Sequence, residues 1–154
     1  IAGNFRNLPM TWRQVGSGEY ENISFETREY KGEYLHIITP AGALTREDRL
    51  PVYQATLDLT RSDSYLCMLD NRKGQELSLT GEDIVYFADI LADHGIRRVI
   101  YAVVTNDPGY GNIIKLIKAI AETKNIAMHA MSTTKFDEAE EFFLAEIEKL
   151  AAEK

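Results

Sequence analysis

The chain has 154 residues, 45% hydrophobic and 27% charged, with 17 Lys and Arg against 24 Asp and Glu for a formal net charge of −7. Such a length and balance describe one ordinary globular domain that buries about two-thirds of its unfolded surface, and they exclude a disordered chain. The negative charge opposes the phosphate backbone, so nucleic acid is not an expected partner, and any membrane contact must be apolar rather than electrostatic.

Residues 1–18 mix Asn, Arg, Gly and Pro with the isolated large side chains Phe5, Leu8, Met10 and Trp12, and follow neither a helical nor a strand period. They read as an extended N-terminal arm ahead of a single domain over 19–154. The arm either lies across the domain and buries Trp12, or is exchanged with a neighbouring subunit in a homo-oligomer. From Ile23 to Tyr30 the chain alternates Ile23, Phe25, Thr27 with Ser24, Glu26, Arg28, the period of a half-exposed strand. Lys31-Gly32-Glu33 supplies a turn, and the denser apolar run Tyr34 to Thr39 completes a hairpin that feeds a buried strand, ended by Pro40.

After Pro40 the rhythm becomes strand then helix. Leu50, Tyr53 and Leu57 mark a helix over Leu50 to Leu59; Pro51 suits its first turn, while a start at Thr45 would require a kink. Tyr65 to Asp70 is the next strand. Thr80 with Asp83 three residues on opens a second helix, which closes at His94-Gly95. Arg98 to Thr105 reads as a strand covered on both faces and is broken by Asn106-Asp107-Pro108-Gly109. A helix from about Tyr110 to Thr123, a strand over Ile126 to Met131, and a last helix from Ser132-Thr133-Thr134 through Leu150 complete the chain, with Asp137 and Glu138 favouring the first turn of that helix. Successive strand-helix-strand crossovers require parallel pairing. The predicted fold class is therefore α/β, a five-stranded mixed sheet with 23–30 as an antiparallel edge strand followed by four parallel strands.

Cys67 has no cysteine to pair with and, among Tyr65, Leu66, Met68 and Leu69, reads as a buried thiol. No stretch reaches the ~18 apolar residues of a membrane span, and the first 18 residues lack a basic start followed by an apolar run. Cytoplasmic residence is the default expectation, with peripheral contact to a membrane as an option; the start at Ile1 instead of Met leaves open a segment removed upstream.

Open α/β sheets bind ligands at the carboxyl ends of their strands. There the sequence offers Asp70-Asn71, Thr105-Asn106-Asp107 and Ser132-Thr133-Thr134, residue types that also serve as ordinary turns and caps. Pro40-Ala41-Gly42-Ala43-Leu44-Thr45 is not a dinucleotide fingerprint, and Gly109-Tyr110-Gly111 alone is a weak phosphate signal. His36, His94 and His129 fall on a strand, a helix end and another strand with no ligand spacing, so no metal is expected; His94 reads as a helix-dipole partner, and the other two as strand histidines with local hydrogen bonds. Neither a nucleophile elbow nor an activated cysteine is present, so no catalytic residues are assigned and no cofactor is implied. The helices at 80–94 and 110–123 are apolar over more than one face: Ile84, Phe87, Ala88 and Leu91 are joined by Val85, Tyr86 and Ile90, and Ile113, Leu116, Ile117 and Ile120 by Ile114. Two helices covering each other, a greasy pocket or a subunit interface would each use such a face.

The order of elements, together with Leu35-His36-Ile37-Ile38-Thr39-Pro40-Ala41-Gly42-Ala43-Leu44-Thr45, Tyr65-Leu66-Cys67-Met68-Leu69-Asp70 and Gly95-Ile96-Arg97-Arg98-Val99, resembles the SpoIIAA-like branch of the STAS superfamily over residues 20 to 152. The resemblance implies a mixed sheet with sequential strands. It also points to a serine, phosphorylated in anti-sigma-factor antagonists after an Asp-x-Ser-Gly type motif; that motif is absent, and Ser78 and Thr80 occupy roughly the place. The branch without that serine is similar to Sec14-type (CRAL-TRIO-like) lipid-binding domains, which implies binding of an apolar ligand or a membrane surface when a helix swings aside. The leading expectation is thus a non-enzymatic module for a small apolar or lipid-like ligand, held between helices 80–94 and 110–123 and lined by Phe87, Leu91, Ile113 and Ile117. The rival is a partner-switching protein-interaction domain contacting its protein partner through Asp70, Ser78 and Thr80. A third option, a small-molecule enzyme, would use the polar strand rim.

Overall fold

In the computed structural model, which describes residues 12–73 and 79–153, the strands are β1 (Arg13–Glu19), β2 (Ile23–Tyr30), β3 (Glu33–Pro40), β4 (Ser64–Asp70), β5 (Arg98–Val104) and β6 (Ala127–Thr133). The helices are α1 (Arg46–Leu59), α2 (Gly81–Asp93), α3 (Tyr110–Thr123) and α4 (Phe136–Ala152). The strands form one sheet in the order β1-β2-β3-β4-β5-β6; β1, β2 and β3 are antiparallel, and β3 to β6 run parallel. The α/β class and the parallel set agree with the sequence. The number of strands does not, because residues 13–19 of the expected arm pair with β2, so 23–30 is an interior strand and not the edge.

That extra strand was hidden by its glycines. A Cβ at Gly18 would lie 2.6 Å from Cε1 of Phe25, and one at Gly16 would lie 2.8 Å from Cδ1 of Leu59, so the positions that would show apolar alternation must be empty to let those side chains in. A bulge between Gln14 and Gly16 breaks the period as well. Just upstream, Trp12 packs edge-on against Tyr30 with ring centroids 5.8 Å apart, within its own chain.

The turn between β2 and β3 places Lys31 (φ 52°) and Gly32 (φ 81°) in the left-handed region, as a two-residue hairpin matched to strand twist requires. From β3 onward each crossover steps one strand in the same direction. Crossovers of one hand must then all pass over one face, and α1, α2 and α3 do. Helix α4 follows the last strand, is bound by no crossover, and covers the opposite face with Ala139, Phe143, Ile147 and Leu150. Side chains alternate between two cores accordingly: Tyr65, Cys67, Leu69, Val99 and Val103 face the three helices, whereas Leu35, Leu66, Met68, Ile100 and Ala102 face α4. Burial of each such side chain contributes about 1.5–3 kcal/mol. Packing therefore holds α4, and solvent-exposed pairs such as Lys31–Glu148 at 2.6 Å only trim its orientation.

Two helix readings shift, the first by four residues at its start and both in the face they bury. Helix α1 begins at Arg46, capped by Thr45 and Asp48 in a reciprocal box, which puts Pro51 in the second turn; of the expected stripe Leu57 is buried, but Leu50 and Tyr53 are only half-buried, and Arg49, Val52 and Thr56 complete the buried face. In α3 the buried positions are Tyr110, Ile114 and Ala121, and Leu116 is 45% exposed. Polar residues at core positions of α1 and surplus apolar ones on α3 turned the apparent stripes. The last helix starts later than its hydroxyl run: β6 continues through Thr133, whose Oγ1 accepts a hydrogen bond from the Lys135 amide.

His36 is fully buried on the three-helix face. Thr60 Oγ1 donates to the Thr56 carbonyl at 2.9 Å, so it accepts from His36 Nε2–H at 2.8 Å, and Nδ1 accepts from Thr27 Oγ1 at 2.8 Å. Neutral imidazole satisfies every partner. Burial pushes its pKa down from 6.5 to about 3. The unfolded chain then takes up a proton that the folded one refuses, so stability present above 6.5 is lost as pH falls. Urea unfolding is expected to show His36 accounting for roughly 2 kcal/mol of lost stability between pH 7 and pH 5, and His36→Gln should remove that portion of the pH dependence.

Candidate functional site

Between the sheet and the three-helix layer lies a cavity of about 100 Å³. Its floor is Ile38 of β3, Tyr65, Cys67 and Leu69 of β4, Val99 and Tyr101 of β5, and Met128 of β6; its roof is Arg49, Val52 and Tyr53 of α1, Ile84, Phe87, Ala88 and Leu91 of α2, and Tyr110, Ile117 and Ala121 of α3. Alternation brings these strand side chains to one face: Cys67 pairs with Tyr101, and Tyr65 with Val99 and through it Met128. Tyr53 stacks on Phe87 at 4.6 Å between centroids and faces Tyr65 at 6.3 Å, so an aromatic cluster joins α1, α2 and β4.

Of the residues expected to line such a space, Phe87, Leu91 and Ile117 do; Ile113 packs against the same core but is not in the cavity wall. The cavity also lies under all three helices and not between α2 and α3 alone. Sequence reasoning missed Arg49, Tyr53, Tyr101 and Tyr110. The available signal was the spacing of Arg49, Val52 and Tyr53, which sets a cation on the inward side of α1.

The wall is mostly apolar, but its polar groups are few and deep. Arg49 is 5% exposed. The Tyr65 hydroxyl lies 2.8 Å from Thr56 Oγ1, and burial pushes the Tyr65 phenol well above its ordinary range. Burial acts likewise on Tyr101, reinforced by the nearby Tyr110 and a hydrogen bond to it. Burial also pushes the Cys67 thiol up to about 12, against the pull of the Arg49 charge. At the open ends of α1 and α2, Arg46 bonds Asp83 at 2.8 Å and lies over the Tyr86 ring at 4.5 Å, clamping the two helix starts together.

The carboxyl rim of the strands uses its polar side chains locally. Asp70 receives two bonds from the Arg72 guanidinium at 2.8 and 2.7 Å, and that group lies 4.8 Å from the centre of the Phe136 ring. Thr80 caps α2 by accepting from the Asp83 amide at 3.1 Å. Thr105 and Asp107 accept from backbone amides two residues on, at 3.1 and 2.8 Å. Ser78 lies outside the described residues. The remaining histidines have separate partners: His94 at the end of α2 contacts the Ile90 carbonyl, and His129 meets Glu146 of α4 at 2.8 Å, a tertiary rather than a local bond. Among the described residues no three His, Cys, Asp or Glu side chains are grouped to hold a metal, and no helix is long and apolar enough to cross a membrane.

In comparisons with known proteins, no family model, curated protein or solved structure matches this chain.

A thiol held protonated in the cavity wall should be inert. At pH 8 the native protein is expected to leave Cys67 unmodified by iodoacetamide over times in which the urea-unfolded chain reacts fully, as mass spectrometry would report. Fast native labelling would show that the wall is open to solvent.

Proposed function

We propose that the domain is a non-enzymatic binding module for a small apolar molecule, taken up between the sheet and the α1–α3 layer. The observation that carries this reading is the cavity, an apolar space lined from three helices and four parallel strands in a domain of this size. Native interiors of this kind leave few voids larger than a water molecule, because each unfilled space forfeits packing energy. A void bordered by a handful of polar groups shares the mostly apolar lining of a ligand site, at a volume below the roughly 300–1,000 Å³ of pockets for drug-sized molecules.

Volume limits the ligand. An apolar cavity of about 150 Å³ holds benzene, so the space here suits a body somewhat smaller than an aromatic ring. A longer acyl chain, or insertion into a membrane surface, would require α2 or α3 to swing away from the sheet. The exposed Leu116 and Val85 on those helices suit such a movement, since neither side chain is tied into the core. The resemblance to the SpoIIAA-like branch of the STAS superfamily and its Sec14-like relatives supports the same reading, and membership of that branch is part of the proposal.

Native mass spectrometry of protein purified from cells is expected to show a co-purifying small apolar molecule, and xenon NMR should place xenon beside Phe87 and Ile117. Ala88→Leu fills the space; it should abolish xenon binding and lower ligand occupancy at least about tenfold, while changing stability by less than about 1.5 kcal/mol. A wild-type protein that takes up neither xenon nor any cellular apolar molecule overturns the reading.

A further inference from the structure

The two edges of the sheet are built differently. Strand β1 carries features that discourage a further strand: the bulge between Gln14 and Gly16, and the exposed charges of Arg13 and Glu19 at its ends. Strand β6 carries none of them. Its residues, Ala127-Met128-His129-Ala130-Met131-Ser132-Thr133, pair with β5 without a break in register and include no Pro, Gly, Lys, Arg, Asp or Glu, and among the described residues no strand lies beyond it. The Ala127 amide donates to the Arg97 carbonyl at 2.9 Å, and the Thr133 carbonyl accepts from the Thr105 amide at 2.9 Å, so the odd-numbered residues turn their backbone groups toward β5. By alternation the amides and carbonyls of Met128, Ala130 and Ser132 point outward. Such an open row is a template for another strand.

Helix α4 adds a self-matching feature beside that edge. His129 meets Glu146, and Thr133 donates to Glu138, so α4 runs antiparallel to β6 along its length. Helical spacing puts Glu138, Phe142, Ala145 and Lys149 on one stripe on the β6 side, while Glu140 and Glu148 turn the other way to Arg28 and Lys31. Acid stands at one end of the stripe and base at the other, with the half-buried Phe142 and the exposed Ala145 between them. Glu138 and Lys149 are both exposed. Turned end for end, the stripe is complementary to itself.

We propose that β6 is a homodimerisation edge, to which a second copy of the chain adds its own β6 antiparallel about a two-fold axis at Ala130. Ala130 then exchanges hydrogen bonds with Ala130 of the second copy, and Met128 with Ser132 in both directions, so that two sheets become one. The small Ala130 side chain lets the strands close at the axis. The same axis sets Glu138 level with Lys149 of the second copy, twice over. A foreign strand would gain the backbone bonds but not these ion pairs, which is why the occupant is a second copy. An isologous contact closes on itself, and the guarded β1 edges stop assembly at two.

Sedimentation equilibrium of the full chain is expected to show monomer and dimer exchanging with a Kd in about the micromolar range. Amide hydrogen exchange followed by NMR locates the contact: raising the concentration through the Kd should slow Met128, Ala130 and Ser132 at least about tenfold, while His129 and Met131, already bonded to β5, stay as they are. Ser132→Pro removes an outward donor without touching the ladder to β5, and should give a folded monomer. Glu138→Lys and Lys149→Glu should each weaken dimerisation about tenfold, and the double variant should recover it. Within one chain the two positions lie roughly 16 Å apart along α4, so recovery reports a contact between copies. The exchange comparison uses wild type and stands even where a variant folds poorly. A chain that stays monomeric up to roughly millimolar concentration overturns the proposal. So does a dimer whose three outward amides gain no protection, one that survives Ser132→Pro, or one that the double charge reversal fails to restore.

Discussion

The direction of the crossovers decides most of this molecule. Because β3, β4, β5 and β6 are laid down in sequence order, each step moves the same way, and a single handedness then forces α1, α2 and α3 onto one side of the sheet. Three helices on one face of a twisted sheet meet it over a curved surface that side chains must fill from both directions. Large rings do much of that here, and the cavity lies among them, walled by Tyr53, Tyr65, Phe87 and Tyr101 with a few buried polar groups.

Polar groups in this core are held in pairs and short chains. His36 is fixed between Thr27 and Thr60, Tyr65 meets Thr56, and Tyr101 meets Tyr110. Each link removes the penalty of a lone buried dipole and fixes a rotamer. The links also tie β2, β3, β4 and β5 to α1 and α3 through side chains as well as through packing, so the cavity is walled by groups with little freedom to collapse into it.

The sequence made legible what depends on periodicity and caps. The parallel strands, the start of α2 at Thr80 and the extent of α3 all follow from patterns that local physics imposes. It concealed what depends on emptiness or on exceptions. Strand β1 escaped notice because Gly16 and Gly18 are inward positions with no side chain to display, and the inward face of α1 because Arg49 and Thr56 stand where apolar residues are expected. For the same reason the apolar half of the candidate site, Phe87, Leu91 and Ile117, could be named from the sequence, whereas its polar corner could not: an arginine next to Asp48 in a charged helical turn looks like surface until the fold turns it inward.

The two cores share nothing but the backbone of the sheet that divides them. Phe143, Ile147 and Leu150 pack on one side and never touch the cavity wall on the other. Drift on the α4 side is thereby uncoupled from the shape of the chamber. A lineage carrying this domain can alter its outer attachments, or join the helix to another protein, without changing the chamber's walls.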